Sequence, residues 1–118
     1  MKVYSGTRNK NGDASVRVFT GDREPMWERT PHLRLRLDLA CHSPCGFNWG
    51  YGGSGPAQLA LALLADALGN DKRALELHQA FKWRVTSDLE DDWTMTDKDV
   101  RRIAGELSVE RNNRSITK

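Results

Sequence analysis

At 118 residues, with 38% hydrophobic and 29% charged side chains, the chain is sized for one domain around one core, and no apolar run approaches the ~20 residues of a membrane span. Its formal net charge of +2 sits entirely in residues 108–118, where Arg111, Arg114 and Lys118 outnumber Glu110; the rest is neutral, which excludes a body built for non-specific phosphate attraction. The opening MKVYSGTRNK has no apolar core behind its lysine, so no signal peptide is expected; the expected location is the cytoplasm, with Cys41 and Cys45 as free thiols.

The first forty residues read as strands. KVYSG (2–6) and ASVRVFT (14–20) flank the turn residues NKNG, and in the second of them Val16 and Val18 share one face while Arg17 and Phe19 share the other. GDREPMWERTP (21–31) holds two prolines and mixed charge and reads as a loop or irregular edge. The clearest strand pattern is HLRLRLDLA (32–40), where four leucines alternate with His32, Arg34, Arg36 and Asp38.

From Pro56 to Leu68 every residue except Gln58 and Asp66 is apolar, mostly Ala and Leu, which predicts a central core helix with Gly55 or Ser54 as its N-cap. Gly69 suits its C-terminal cap and Asn70 or Asp71 the start of a second helix over about 72–88, with Ala74, Leu77, Phe81 and Val85 along one side. DLEDDW interrupts the pattern. TDKD then opens a third helix with Thr96 and Asp99 in capping-box spacing, followed by Val100, Ile103, Ala104 and Leu107. Residues 108–118 carry no period and are expected as a basic, flexible tail.

Five of the ten glycines fall in GFNWGYGGSG, where Gly50, Gly52 and Gly55 spell the G-x-G-x-x-G of a dinucleotide loop. That loop belongs directly after a strand of a parallel sheet, whereas here CHSPCGFNW intervenes and the upstream strands read as antiparallel. A P-loop is excluded because Pro56 and Ala57 stand where its lysine and hydroxyl belong. A turn that caps the core helix explains the stretch. The functional alternative is an anion held by N–H groups at the helix start, with Gly52, Gly53, Ser54 and Gly55 as the ligand-binding candidates.

Cys41, His42 and Cys45 in CHSPC, with His32 upstream, are ligand types for zinc, but C-x3-C supplies only half of one zinc knuckle. His78, on the second helix, would join them only if the fold brought it there. No metal, cofactor or catalytic residue is therefore assigned. Arg17, Arg34 and Arg36 would line the wet face of the sheet, with Phe19 or Trp27 as a stacking platform, and form a candidate partner surface. Asp88, Glu90, Asp91 and Asp92 read as a solvated turn. Of the four tryptophans, Trp83 lies off the apolar stripe of its helix and is the tryptophan chosen as a contact residue.

Through GFNWGYGGSGPAQLALALLADALGND, LHQAFKWRV and WTMTDKDV the chain resembles a small family of uncharacterised proteins from bacteria, archaea, phages and plasmids, known only as a domain of unknown function. The resemblance spans roughly residues 33–104. It implies that residues 49–64 are a signature of the fold and that mobile genetic elements are the setting; it carries over no activity and no catalytic residue. The expectation is one α+β domain over 1–107, a small N-terminal antiparallel sheet packed against an αα-hairpin and a third short helix. Its expected function is that of a non-enzymatic interaction module for a protein or nucleic acid, an accessory or host-interference protein of a mobile element. A homo-oligomer stays open and a membrane partner is not expected. The alternative is a small anion- or nucleotide-binding protein or enzyme using the Gly50–Gly55 turn.

Overall fold

The computed structural model describes residues 1–20 and 30–116, with side chains described as far as residue 112. The chain forms β1 (Lys2–Arg8), β2 (Ala14–Thr20), α1 (Ser54–Leu68), α2 (Asp71–Arg84), a 3-10 turn (Thr86–Asp88), β3 (Trp93–Thr96) and α3 (Asp97–Ile116). This is the α+β arrangement expected: a three-stranded antiparallel sheet in the order β2-β1-β3, with α1 and α2 as a packed pair and α3 against both the helices and the sheet.

The β1–β2 hairpin closes at Asn9–Asp13. The Asn9 side-chain oxygen accepts from the Asn11 and Asp13 N–H groups, at 2.9 Å each, and Gly12 takes a positive φ of 82°. The register sets Val18 and Met95 opposite Tyr4, and Val16 and Trp93 opposite Gly6, so these side chains share the face that turns to the core. Gly6 is required there because the Trp93 indole lies where a Cβ would be, 2.3 Å from its ideal position.

Every residue from Gly55 to Ala65 of α1 is buried, as its apolar composition predicts. The helix starts earlier than expected. Gly53 is its N-cap and Pro56 lies inside the first turn, where a missing N–H leaves no acceptor unpaired. Gly69 caps the other end in the left-handed conformation and Asn70 caps α2 by accepting from the Arg73 N–H. Thr96 and Asp99 form the reciprocal capping box of α3, at 3.0 and 3.1 Å. α3 runs on past Leu107, where the apolar stripe ends, and Arg84 of α2 pairs with its Glu106 and Glu110.

The segment 32–40 is not a strand. It meets β2 through a single bridge, His32 to Arg17, with the Leu33 N–H donating to Val16 O at 2.9 Å, and then leaves the sheet. Arg36 takes a positive φ of 58° and its carbonyl closes a turn with the Leu39 N–H. Leu33 is buried, whereas Leu37 is 39% exposed. Alternation of polarity along a segment does not settle which backbone it pairs with, nor, once the chain turns, which side chains point inward. Here the carbonyls of Leu35 and Ala40 are taken by a side chain of α1, and the third strand position goes to β3 on the opposite edge of β1.

Candidate functional site

The glycine-rich turn is built by aromatic rings lying on bare backbone. Gly50 has a positive φ of 85°, and its N–H donates to Thr86 O at 2.9 Å, which docks the turn on the 3-10 turn that follows α2. An ideal Cβ on Gly52 would lie 2.4 Å from the Trp83 ring, and one on Gly53 would lie 2.4 Å from the Tyr51 ring. Trp83 is 61% and Tyr51 47% exposed, so two flat rings are seated on the turn yet face solvent. The Lys82 ammonium lies 4.3 Å from the centre of the Trp83 ring.

Beneath them Trp49 is fully buried, edge-on to Trp93 at 5.6 Å. Both indole N–H groups are buried without a hydrogen-bond partner among the described residues. That costs on the order of 1 kcal/mol or more each, which the packing of two whole indoles outweighs. Arg8 braces the turn from β1. Its guanidinium lies 5.4 Å from the Trp49 ring, donates to Asn48 Oδ1 and Trp49 O at 2.8 and 2.9 Å, and pairs with Asp91.

Of the ligand-binding candidates, Gly52 is exposed, Gly53 is the N-cap, Ser54 is exposed and Gly55 is buried against Asn48. Ser54 and Gly55 border an open cavity of about 340 Å³ shared with Asp13, Ser43, Asn48 and Tyr51; no Lys, Arg or His among the described residues lines it. The arginine candidates are not brought together on a sheet face. Arg17 is half-buried and donates to Thr30 O at 2.6 Å, while Arg34 lies exposed in the segment that leaves the sheet. Arg36, in the turn beyond it, is tied to Asp38 and Asp71 at 3.0 and 2.9 Å. Phe19 is half-buried on β2, and Trp27 lies outside the described residues.

The two polar residues that interrupt α1 prove to be connectors, and their roles were not read from the sequence. Gln58, fully buried, accepts from the His42 and Ser43 N–H groups at 2.7 and 3.1 Å and donates to Leu35 O and Ala40 O at 2.6 and 3.0 Å. Asp66 accepts from the Tyr4 hydroxyl at 2.6 Å and pairs with Lys2. Burial, with Asp66 as acceptor, pushes the Tyr4 phenol well above its ordinary range, so it stays a donor at any working pH. The signal available was their polarity in an otherwise apolar helix.

The Gln58 anchor also brings His42 to His78: their Nε2 atoms are 3.0 Å apart, with His78 buried on α2. Cys41 and Cys45, in the same loop, are free and exposed. Burial holds the His78 pKa below that of an ordinary imidazole, helped by the charges of His42 and Lys82 and opposed by the bond to Leu75 O.

These features define a small α+β domain whose glycine turn carries exposed aromatics, and among the described residues no helix is long and apolar enough to cross a membrane. The chain belongs to a family of unknown function, DUF6166, which matches residues 4–106. No curated protein and no solved structure matches it.

Proposed function

We propose that the domain is a non-enzymatic protein-interaction module and that its contact surface is the pair of rings, Trp83 and Tyr51, on the glycine turn. The observation that carries this reading is the exposure of two large aromatics whose rings lie side by side with bare glycine backbone. Trp and Tyr offer large, amphipathic contact area on only two side-chain torsions, and they lead among residues that dominate interface energies. A protein is favoured over a nucleic acid by charge. The Leu89 carbonyl lies against Gly50, so the chain that carries Asp88, Glu90, Asp91 and Asp92 runs past the turn. Even with Asp91 paired to Arg8, these carboxylates outnumber the Lys82 ammonium over the Trp83 ring, which disfavours phosphates and favours a basic protein rim. The setting of a mobile genetic element, with the protein acting on a host partner, rests on the sequence resemblance alone.

The test is affinity capture from nuclease-treated host lysate with the wild type, Trp83→Ala, Tyr51→Ala and a remote control, Lys98→Ala, each checked for folding by circular dichroism. The expected result is a specific protein retained by wild type and control and lost with either aromatic variant. Capture that survives both aromatic variants, capture that nuclease abolishes, or no capture by the wild type overturns it. The second reading, an anion at the start of α1, is favoured by the cavity at Ser54 and Gly55 and opposed by Asp13 in its wall. Titration with inorganic phosphate followed by amide chemical shifts decides it: saturable shifts at residues 52–57 support this reading, and their absence ends it.

A further inference from the structure

His42 and His78 come from different elements, and their imidazoles meet nearly end to end. Nε2 to Nε2 is 3.0 Å, the ring centroids are 5.1 Å apart and the planes are tilted by 35°. His78 Nδ1 lies 2.7 Å from Leu75 O. A carbonyl can only accept, so Nδ1 carries the proton and Nε2 of neutral His78 presents a lone pair. In the structure as it stands, His42 fills that lone pair by donating its own Nε2–H.

A metal-ligating histidine has the same form: one ring nitrogen committed to a carbonyl, the other free to coordinate. Two nitrogens bound at ~2.05 Å to a tetrahedral ion stand about 3.3 Å apart with the ion to one side of the line between them, so an ion fits once the rings separate by a few tenths of an ångström and turn their Nε2 atoms toward it. The backbone that carries each ring is anchored. The His42 and Ser43 N–H groups are fastened to buried Gln58, and His78 is fixed by α2 and Leu75. Among the described residues no third His, Cys, Asp or Glu joins the pair, so the other coordination positions fall to water. Exposed Gln79, whose amide nitrogen is 3.4 Å from His78 Nε2, marks the open side.

We propose that His42 and His78 form an open, solvent-completed site for a divalent ion of the imidazole-preferring class, Zn²⁺, Cu²⁺ or Ni²⁺. Binding replaces one N–H···N bond by two metal–nitrogen bonds. The His42 proton moves from Nε2 to Nδ1, and neither ring changes charge or oxidation state.

The experiment is calorimetric titration of the full chain with Zn²⁺ in a Cys41→Ser/Cys45→Ser background, which removes the exposed thiols as competing ligands. The parent is expected to bind one ion, and His42→Ala and His78→Gln to bind at least ~10-fold more weakly, since even loss of an outer partner of a metal ligand costs that much. Circular dichroism checks that each variant is folded. Absence of saturable binding in the parent overturns the site, as does undiminished binding by either folded histidine variant.

Discussion

Replacing Gln58 with methionine keeps the length and volume of the side chain and removes all four of its hydrogen bonds. The carbonyls of Leu35 and Ala40 and the N–H groups of His42 and Ser43 then lose their partner. Each such bond contributes ~0.5–1.5 kcal/mol net, and a donor or acceptor left unpaired and shielded from water costs more. Methionine returns ~1 kcal/mol through apolar burial, and the loop side is only part-buried, so water reaches some of the orphaned groups. The expected loss is about 3 kcal/mol, which lowers Tm by roughly 12 °C in a domain of this size. Urea unfolding followed by circular dichroism measures it, and hydrogen exchange should show the His42 and Ser43 amides losing protection before those of α1. A variant within ~0.5 kcal/mol of the wild type, or one whose loop amides stay protected, would refute the view that Gln58 holds the loop.

Two alanine substitutions separate a glycine that must stay bare from one whose neighbour can yield. Gly6→Ala drives a Cβ into the buried Trp93 indole and should cost ~1–3 kcal/mol by urea unfolding, whereas Gly52→Ala meets the exposed Trp83 ring, which can swing away, and should cost less than ~0.5 kcal/mol. Equal costs would contradict the difference in packing. Thr96→Ala removes one half of the α3 capping box and should cost ~1 kcal/mol; an unchanged unfolding midpoint would show that the cap carries no stability. For His78 the folded pKa lies below the unfolded value of ~6.5, so the unfolded chain binds more protons and stability is lost as pH falls below ~6.5 toward the folded pKa. Tm should therefore drop from pH 7.5 to 5.5 more steeply in the wild type than in His78→Gln, and parallel curves would rule the histidine out as the cause. Asp38, which Arg36 holds below the usual carboxylate range, titrates lower still and does not enter this window.

Three helices and all but one of the caps read for them, the N-cap of α1 at Gly53, were legible because period and punctuation agree locally. Gly69, Asn70 and the Thr96–Asp99 pair each act within one turn of the residues that signal them. What failed was partner choice. The alternation of 32–40 is longer than that of WTMT, yet WTMT became the third strand. It carries Trp93 and Met95 inward and pairs along four residues of β1, whereas the other segment turns at Arg36 and spends its carbonyls on Gln58. The exposure of Trp83 was legible from its position off the α2 stripe, because exposure on a helix follows from periodicity. Its seat on Gly52, and the approach of His42 to His78, depend on contacts between elements distant in the chain. No local pattern encodes such contacts.

A helix buried on every side has no wet face on which a polar residue can rest, so polar groups within α1 must bind the chain around it. That makes the first turns of α1 a junction. Gln58 carries the His42 loop, while two residues earlier Pro56 O accepts from Thr86 Oγ1 at 2.9 Å, and Thr86 O in turn receives the Gly50 N–H of the glycine turn. The histidine pair and the aromatic surface therefore hang from the same turns of one helix by separate hydrogen bonds, and Thr86 and Gln58 share no partner. Trp83→Ala should leave the His42–His78 contact in place, and His42→Ala should leave Trp83 seated on Gly52. If either substitution disturbed both, the first turns of α1 would themselves have moved, and the two surfaces would have to be treated as one.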